Sequence, residues 1–167
     1  MKNIILCGFM GSGKTVVGKM VAERLGLAFY DTDEMIVKKT GMQISDIFSK
    51  YGEPYFRGLE TEVIKGFANT ENCLVSLGGG LAANRVNHPY LKEAGVTVLL
   101  DCGIEETLRR ITGDKSRPLT AGGAEDIINR YNFRKPIYES VADVVVDSSG
   151  TADITTENLL KALEEII

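Results

Sequence analysis

Residues 4–15 read IILCGFMGSGKT, four apolar residues that run straight into a glycine-rich loop ending in Lys14 and Thr15. The loop matches G-x-x-x-x-G-K-[ST] through Gly8, Gly13, Lys14 and Thr15, with a strand pattern before it and a helical pattern after it, the context such a loop requires. In that context the backbone N–H groups of Gly11, Ser12 and Gly13 and the helix N-terminus cradle the phosphates of a nucleoside triphosphate. Lys14 then contacts the β- and γ-phosphates and Thr15 ligates Mg²⁺. A glycine-rich turn that binds nothing is the competing reading, and the flanking strand and helix weigh against it. The loop is silent about the acceptor.

Outward from this loop, short β-rich runs alternate with longer helical patterns. Strands are expected at 3–7, 27–30, 73–76, 96–100 and 143–146, and helices at about 14–25, 84–93, 104–111, 124–139 and 155–166. Strict alternation implies a parallel sheet with helices on both faces, and the continuously apolar runs IILC, CLV, VTVLL and VVV suit strands buried on both faces. Residues 31–68 break the rhythm with a mostly helical insertion, far longer than the dozen or so residues that a crossover between parallel strands needs. Such an insertion is expected to carry a function of its own.

The chain has 167 residues, 44% hydrophobic and 25% charged, which suits one domain with a sizeable core. Its net charge of −4 weighs against a nucleic-acid or anionic-membrane surface, so a basic cluster reads as a small-ligand site. Cys7, Cys73 and Cys102 are odd in number and widely spaced, as buried thiols in a reducing compartment would be. The apolar run after Met1 is too short for a signal peptide, and no segment approaches the roughly 18 apolar residues of a membrane span. A cytoplasmic monomer is expected.

Four further stretches carry chemistry. In YDTDE, Asp31 and Asp33 stand two apart at the carboxyl end of the second strand, where open α/β sheets bind ligands. One carboxylate there can orient Mg²⁺ through its waters while the other accepts a proton from, or aligns, an attacking hydroxyl. Asp33 as a plain helix cap is the alternative. In YFRGLE, Arg57 and Glu60 share a helix face, so that Glu60 can hold a guanidinium fork suited to a carboxylate. A solvated ion pair is the bland reading. The glycines Gly78, Gly79 and Gly80 in SLGGG make sense where backbone approaches a ligand closely, against a merely flexible turn. TGDKSRPLTAGG, 112–123, suits a mobile lid that excludes water and brings Arg117 to the transferring phosphoryl group, against an ordinary surface loop. Arg134, on the helix that follows, offers a second cation to an acidic substrate. His88 has no partner at metal or triad spacing and is expected at a helix start or on the surface, and Phe48 and Phe56 are candidates to wall a small pocket.

In this order, GFMGSGKT, DTD, TGMQISDIF, GEPYFRGLE, SLGGG, SRPL and RKPIYESVAD resemble the shikimate kinase family, a nucleoside-monophosphate-kinase-like branch of the P-loop proteins, over about nine tenths of the chain. The resemblance implies a three-layer α/β P-loop fold with a five-stranded parallel sheet, a substrate-binding insertion at about 31–68 and a lid at about 112–123. It also implies ATP-dependent phosphorylation of the 3-hydroxyl of shikimate, with Mg²⁺. By position, Asp33 resembles the family's hydroxyl-binding aspartate and base, and Asp31 the one near Mg²⁺. Arg57 and Arg134 resemble its carboxylate-binding arginines, Gly78, Gly79 and Gly80 its substrate-binding glycines, Arg117 the lid arginine and Arg110 the arginine that packs on adenine. Two departures stand out: Thr120 where many relatives carry leucine, and VDSSGTAD without the basic residues that some members place beside adenine.

Gluconate and nucleoside monophosphate kinases share loop and lid. A nucleotide kinase would need a base-reading pocket where this chain has FRGLE and GGG. A GTP-dependent switch or non-catalytic nucleotide binder should carry N/T-K-x-D, which is absent from the sequence, and would leave DTD without a purpose.

Overall fold

The computed structural model describes residues 1–113 and 122–166. In chain order the elements are β1 (Asn3–Cys7), α1 (Lys14–Leu25), β2 (Ala28–Asp31), α2 (Thr32–Thr40), α3 (Ile44–Tyr51), α4 (Glu53–Lys65), β3 (Cys73–Ser76), a 3₁₀ turn (Arg85–Asn87), α5 (His88–Ala94), β4 (Gly95–Asp101), α6 (Gly103–Gly113), α7 (Gly123–Val141), β5 (Val144–Asp147) and α8 (Ala152–Glu164). The strands form one five-stranded sheet in the order β2-β3-β1-β4-β5, with every neighbouring pair parallel. This is the α/β architecture that the alternating sequence predicts.

Successive strand residues point to opposite faces, and the two helical layers follow from that. Ile4 and Leu6 pack with Val17 and Val21 of α1 and with Leu159 and Leu163 of α8. Ile5 and Cys7 face the other way, into a cluster with Ile36, Ile47, Phe56 and Ile64 of the inserted helices and with Tyr131 and Tyr138 of α7. The insertion therefore shares its apolar core with the sheet. Gly18 lets α1 lie directly on the strands, because a Cβ there would meet Phe29, Leu74 and Leu6 at 2.9–3.2 Å.

The amino end of the sheet is closed by one buried polar residue. Asn3, 1% exposed, donates through Nδ2 to the carbonyls of Phe67, Thr70 and Ala94 at 2.9–3.3 Å and accepts the Cys73 N–H at 3.1 Å. One amide thus ties β1 to β3, to the end of the insertion and to the end of α5.

Several sequence expectations need correction. The VVV run of β5 is not buried on both faces: it is an edge strand, and Val145 is 57% exposed. The helix expected at 84–93 is broken into the 3₁₀ turn and α5, because Asn84 caps the turn through Val86 N–H and Pro89 opens a new helix. The last helix starts at Ala152, where the Thr151 hydroxyl caps the N–H of Ile154 at 3.3 Å. Of the lid expected at 112–123, Thr112 and Gly113 belong to α6 and Gly123 to α7; Arg117 and Thr120 lie outside the described residues. All three cysteines are buried free thiols, as expected. Among the described residues no helix is long and apolar enough to cross a membrane.

Candidate active site

Because all five strands run parallel, their carboxyl ends meet on one side, and a cleft of about 870 Å³ opens there. The phosphate loop forms its floor. Gly11 and Gly13 adopt φ of 74° and 92°, and a Cβ on Gly8 would stand 2.4 Å from the Leu100 carbonyl, so the loop depends on glycine for both conformation and space. No side chain caps α1, and Gly13 at its N-cap leaves the first N–H groups directed at the cleft. Lys14 Nζ lies against the loop, donating to the carbonyls of Gly8 and Phe9 at 2.7 and 3.1 Å.

At the end of β2, Asp31 rather than Asp33 is the helix cap: its Oδ1 accepts from the N–H groups of Asp33 and Glu34 at 2.9 and 3.2 Å. Both aspartates precede the same helical pattern, and the strand runs one residue further than expected, which moves the cap to Asp31 and places Asp33 in the first turn of α2. The remaining Asp31 oxygen, Oδ2, accepts from Thr15 Oγ1 at 3.3 Å, so the two residues assigned to Mg²⁺ are in direct contact on the cleft wall. Asp33 is released from capping and half-buried. Burial, then the nearby Asp31 carboxylate, pushes its pKa up, against the opposing pull of Lys14 and Arg57.

Arg57, on α4, and Arg134, on α7, stand beside the cleft and outside its lining, which reaches Asp33, Gly78 and Gly79. The Arg57 guanidinium donates to Glu60 at 2.6 Å and to Glu53 through Nε and Nη2 at 3.2 and 3.1 Å, and it sits over the Phe56 ring at 5.4 Å. Glu60 is 1% exposed, and burial pushes its carboxyl up to about 6 although Arg57 pulls the other way. Phe48 and Phe56 pack on each other, ring centroids 4.9 Å apart, and Phe56 lies under the Arg57 guanidinium.

The glycine run sits between these groups. A Cβ on Gly78 would be 2.5 Å from an Asp33 carboxylate oxygen, and one on Gly80 would be 2.1 Å from Arg57 Nη1. At Gly79 the nearest atom would be Arg134 Nη1 at 3.5 Å. The three glycines thus give carboxylate and guanidinium groups from α2, α4 and α7 access to one stretch of backbone beside the phosphate loop. Arg134 also stands over the ring of Phe9, a phosphate-loop residue, at 6.0 Å.

Arg110 reaches the cleft from α6, donating to the carbonyls of Gly11 at 2.9 Å, Ser148 at 2.6 Å and Gly150 at 3.2 Å and to Glu106 at 2.9 Å. It bridges the phosphate loop to the loop after β5. His88 stands at the start of α5 with Nε2 2.9 Å from the Ala82 carbonyl, away from the cleft lining.

The family model described as shikimate kinase matches residues 10–164. A shikimate kinase from Persephonella marina is 44% identical over 150 residues, which cover 90% of this chain and 91% of that protein. The chain belongs to the shikimate kinase family. Among solved structures, the shikimate kinase from Aquifex aeolicus superposes with a TM-score of 0.87 at 40% identity, over 97% of this chain and 96% of the other. That from Acinetobacter baumannii, in complex with shikimate, superposes with a TM-score of 0.89 at 34% identity, over 100% and 96%.

Two side chains beside this shikimate kinase family site were not singled out from the sequence. Thr32, fully buried, accepts the Gly78 N–H on its hydroxyl at 2.9 Å. Tyr138, 2% exposed, donates its hydroxyl proton to the Gly79 carbonyl; burial pushes its pKa up to about 12, against the opposing pull of the Arg134 charge. Both contacts join residues far apart in sequence, so no local pattern marks them. Only the position of Thr32 inside DTD was a signal.

Proposed function

We propose that this chain transfers the γ-phosphoryl group of ATP to the 3-hydroxyl of shikimate, giving shikimate 3-phosphate and ADP. The observation that carries the reading is the glycine run, which brings one carboxylate, Asp33, and two arginines, Arg57 and Arg134, together beside a phosphate-binding loop. A polyhydroxylated acid needs an acceptor for its hydroxyls and cations for its carboxylate, and the groups around the glycine run offer both.

Each step then has a residue. The loop N–H groups of Gly11, Ser12 and Gly13 and the Lys14 ammonium hold the β- and γ-phosphates, Arg110 shapes the nucleoside end, and Arg117 is assigned to the lid over the transferring group. Arg57 and Arg134 hold the substrate carboxylate, and Gly78, Gly79 and Gly80 let it approach. Asp33 accepts the proton of the 3-hydroxyl as that oxygen attacks phosphorus and the bond to the ADP oxygen breaks. A carboxylate made more basic by burial suits that task.

Thr15 Oγ1 and Asp31 Oδ2 are hard oxygen donors facing each other, and the described residues contain no cluster of three or more metal-binding side chains. That set fits Mg²⁺, which keeps most of its waters and is otherwise held by substrate phosphates. When bound, Mg²⁺ supplies charge neutralisation on the phosphates. The segment 31–68 is read as the substrate-binding part of a single kinase domain, 112–123 as its lid, and the chain as a cytoplasmic monomer without nucleic-acid partners.

The test is ADP release from Mg·ATP with shikimate, with gluconate and AMP in parallel and a no-acceptor control. Turnover with shikimate alone is expected. Turnover only with gluconate or AMP would leave the phosphate loop standing and overturn the roles of Arg57, Arg134 and the glycines.

A further inference from the structure

A run of three glycines has little conformational preference of its own. At Gly78 and Gly80 the absence of Cβ is enforced by Asp33 and Arg57, which occupy the space a side chain would need. The same absence leaves the backbone soft just where a substrate is to meet it. Something outside the run must hold it, and two hydroxyls do. Thr32 accepts the Gly78 N–H from one side, and Tyr138 donates to the Gly79 carbonyl from the other.

Tyr138 also shares its helix with a cation. Arg134 lies one helical turn before it on α7, so both side chains project from one face toward Gly79. A Cβ on Gly79 would be 3.5 Å from Arg134 Nη1 and 4.0 Å from the Tyr138 oxygen, so backbone, guanidinium and phenol converge on one point. The phenol gives its proton to the Gly79 carbonyl, and Arg134 approaches the same residue from the same helix. A planar trans peptide transmits this: fixing the Gly79 carbonyl also fixes the Gly80 N–H, which lies in the same plane. The Tyr138 ring itself is anchored in the apolar cluster under the sheet, giving the hydroxyl a rigid base.

We infer that Tyr138 is a positioning residue for the acid-binding end of the site, holding the Gly79–Gly80 peptide in the place beside Arg134 that the substrate carboxylate meets. This rests on the proposed acid substrate. Nothing is asked of Tyr138 in proton transfer.

The test is Tyr138→Phe, which keeps the ring in the core and deletes one oxygen, alongside Arg134→Ala, the double variant and Tyr131→Phe. Tyr131 is a fitting control, since its hydroxyl is also on α7 but donates to Asp101 at 2.9 Å, outside the glycine run. In Tyr138→Phe the KM for shikimate should rise about tenfold, the upper size expected for losing one buried neutral hydrogen bond, with the KM for ATP and kcat each within about threefold of the parent. Adding Tyr138→Phe to Arg134→Ala should then raise the KM for shikimate by less than about twofold, because both act at Gly79 on the same substrate group. With shikimate methyl ester, which has no carboxylate charge, Tyr138→Phe and the parent should differ little. An unmoved KM for shikimate, an equal rise in both KM values, or a full tenfold penalty in the Arg134→Ala background would overturn the inference. A parent enzyme inert toward shikimate would overturn the functional reading and this inference with it, whereas an active parent with an unaffected Tyr138→Phe variant overturns this inference alone.

Discussion

Gly95 and Gly80 pose the same steric problem at opposite ends of the sheet. A Cβ on Gly95, at the amino end, would stand 2.2 Å from the Asn3 carbonyl oxygen; one on Gly80, at the carboxyl end, would stand 2.1 Å from Arg57 Nη1. The first obstacle is the backbone of the central strand, which cannot yield without parting β1 from β4. The second is the tip of a long side chain, which can swing away. Near-equal distances therefore imply different losses, fold at one end and function at the other. The buried polar groups tell the same story. At the amino end Asn3 has both its donor and its acceptor engaged by the chain itself. At the carboxyl end burial holds Asp33 and Glu60 above the usual carboxylate range, and the Ser148 hydroxyl is buried without a partner among the described residues.

The contrast is broken most severely by Asp33→Asn. Turnover should fall by about a thousandfold, within the range for removal of a positioned acid–base group, while ATP still binds in a direct titration. Stability should move the opposite way. The pKa of Asp33 is raised on folding, so its favourable contribution is present below the ordinary carboxylate value and is lost as pH rises through the folded value. At neutral pH the neutral amide should melt no lower than the parent in thermal scans, and a clearly lower melting temperature would make Asp33 a structural residue.

Next in size is Gly95→Ala, for which overpacking against backbone should cost about 3 kcal/mol in denaturant unfolding, with KM for both substrates unchanged in the folded fraction. Gly80→Ala should reverse that pattern: the KM for shikimate up about tenfold through displacement of Arg57, with unfolding free energy altered by less than about 1 kcal/mol. If Gly80→Ala were as destabilising as Gly95→Ala, the carboxyl end would be as rigid as the amino end and the comparison would fail.

The finest effect concerns charge. Asp31 is the second cause of the raised pKa of Asp33, and asparagine caps a helix as well as aspartate does. Asp31→Asn should therefore keep α2 intact, as read by circular dichroism, and move the acid limb of the kcat/KM profile for shikimate to lower pH. A limb that stays in place would show that Asp33 does not govern it.

Much of this was legible because it is local. The phosphate loop is a contiguous pattern, and the bounds expected for β1, α1 and β3 coincide with those observed. Arg57 and Glu60 were readable as a pair because helical spacing brings residues three apart together. Edge position was not readable in VVV, because an apolar run looks alike at the centre and at the rim of a sheet until the strand order is known. The choice of cap between Asp31 and Asp33 turns on one residue of strand length, below what periodicity resolves. Thr32 and Tyr138 were missed because their partners, Gly78 and Gly79, lie in distant parts of the chain.

The strand order has a consequence for how the molecule is made. The first strand of the chain is the middle of the sheet, and its partners arrive late: Ile4 pairs with Leu74 on one side and with Val96 on the other. A chain emerging from the ribosome therefore carries the apolar run IILC without both its strand partners until Val96 and the rest of β4 have followed it out. Nucleation cannot be local here, and refolding should be governed by the search that brings β3 and β4 to β1, with helices forming well before the sheet is complete.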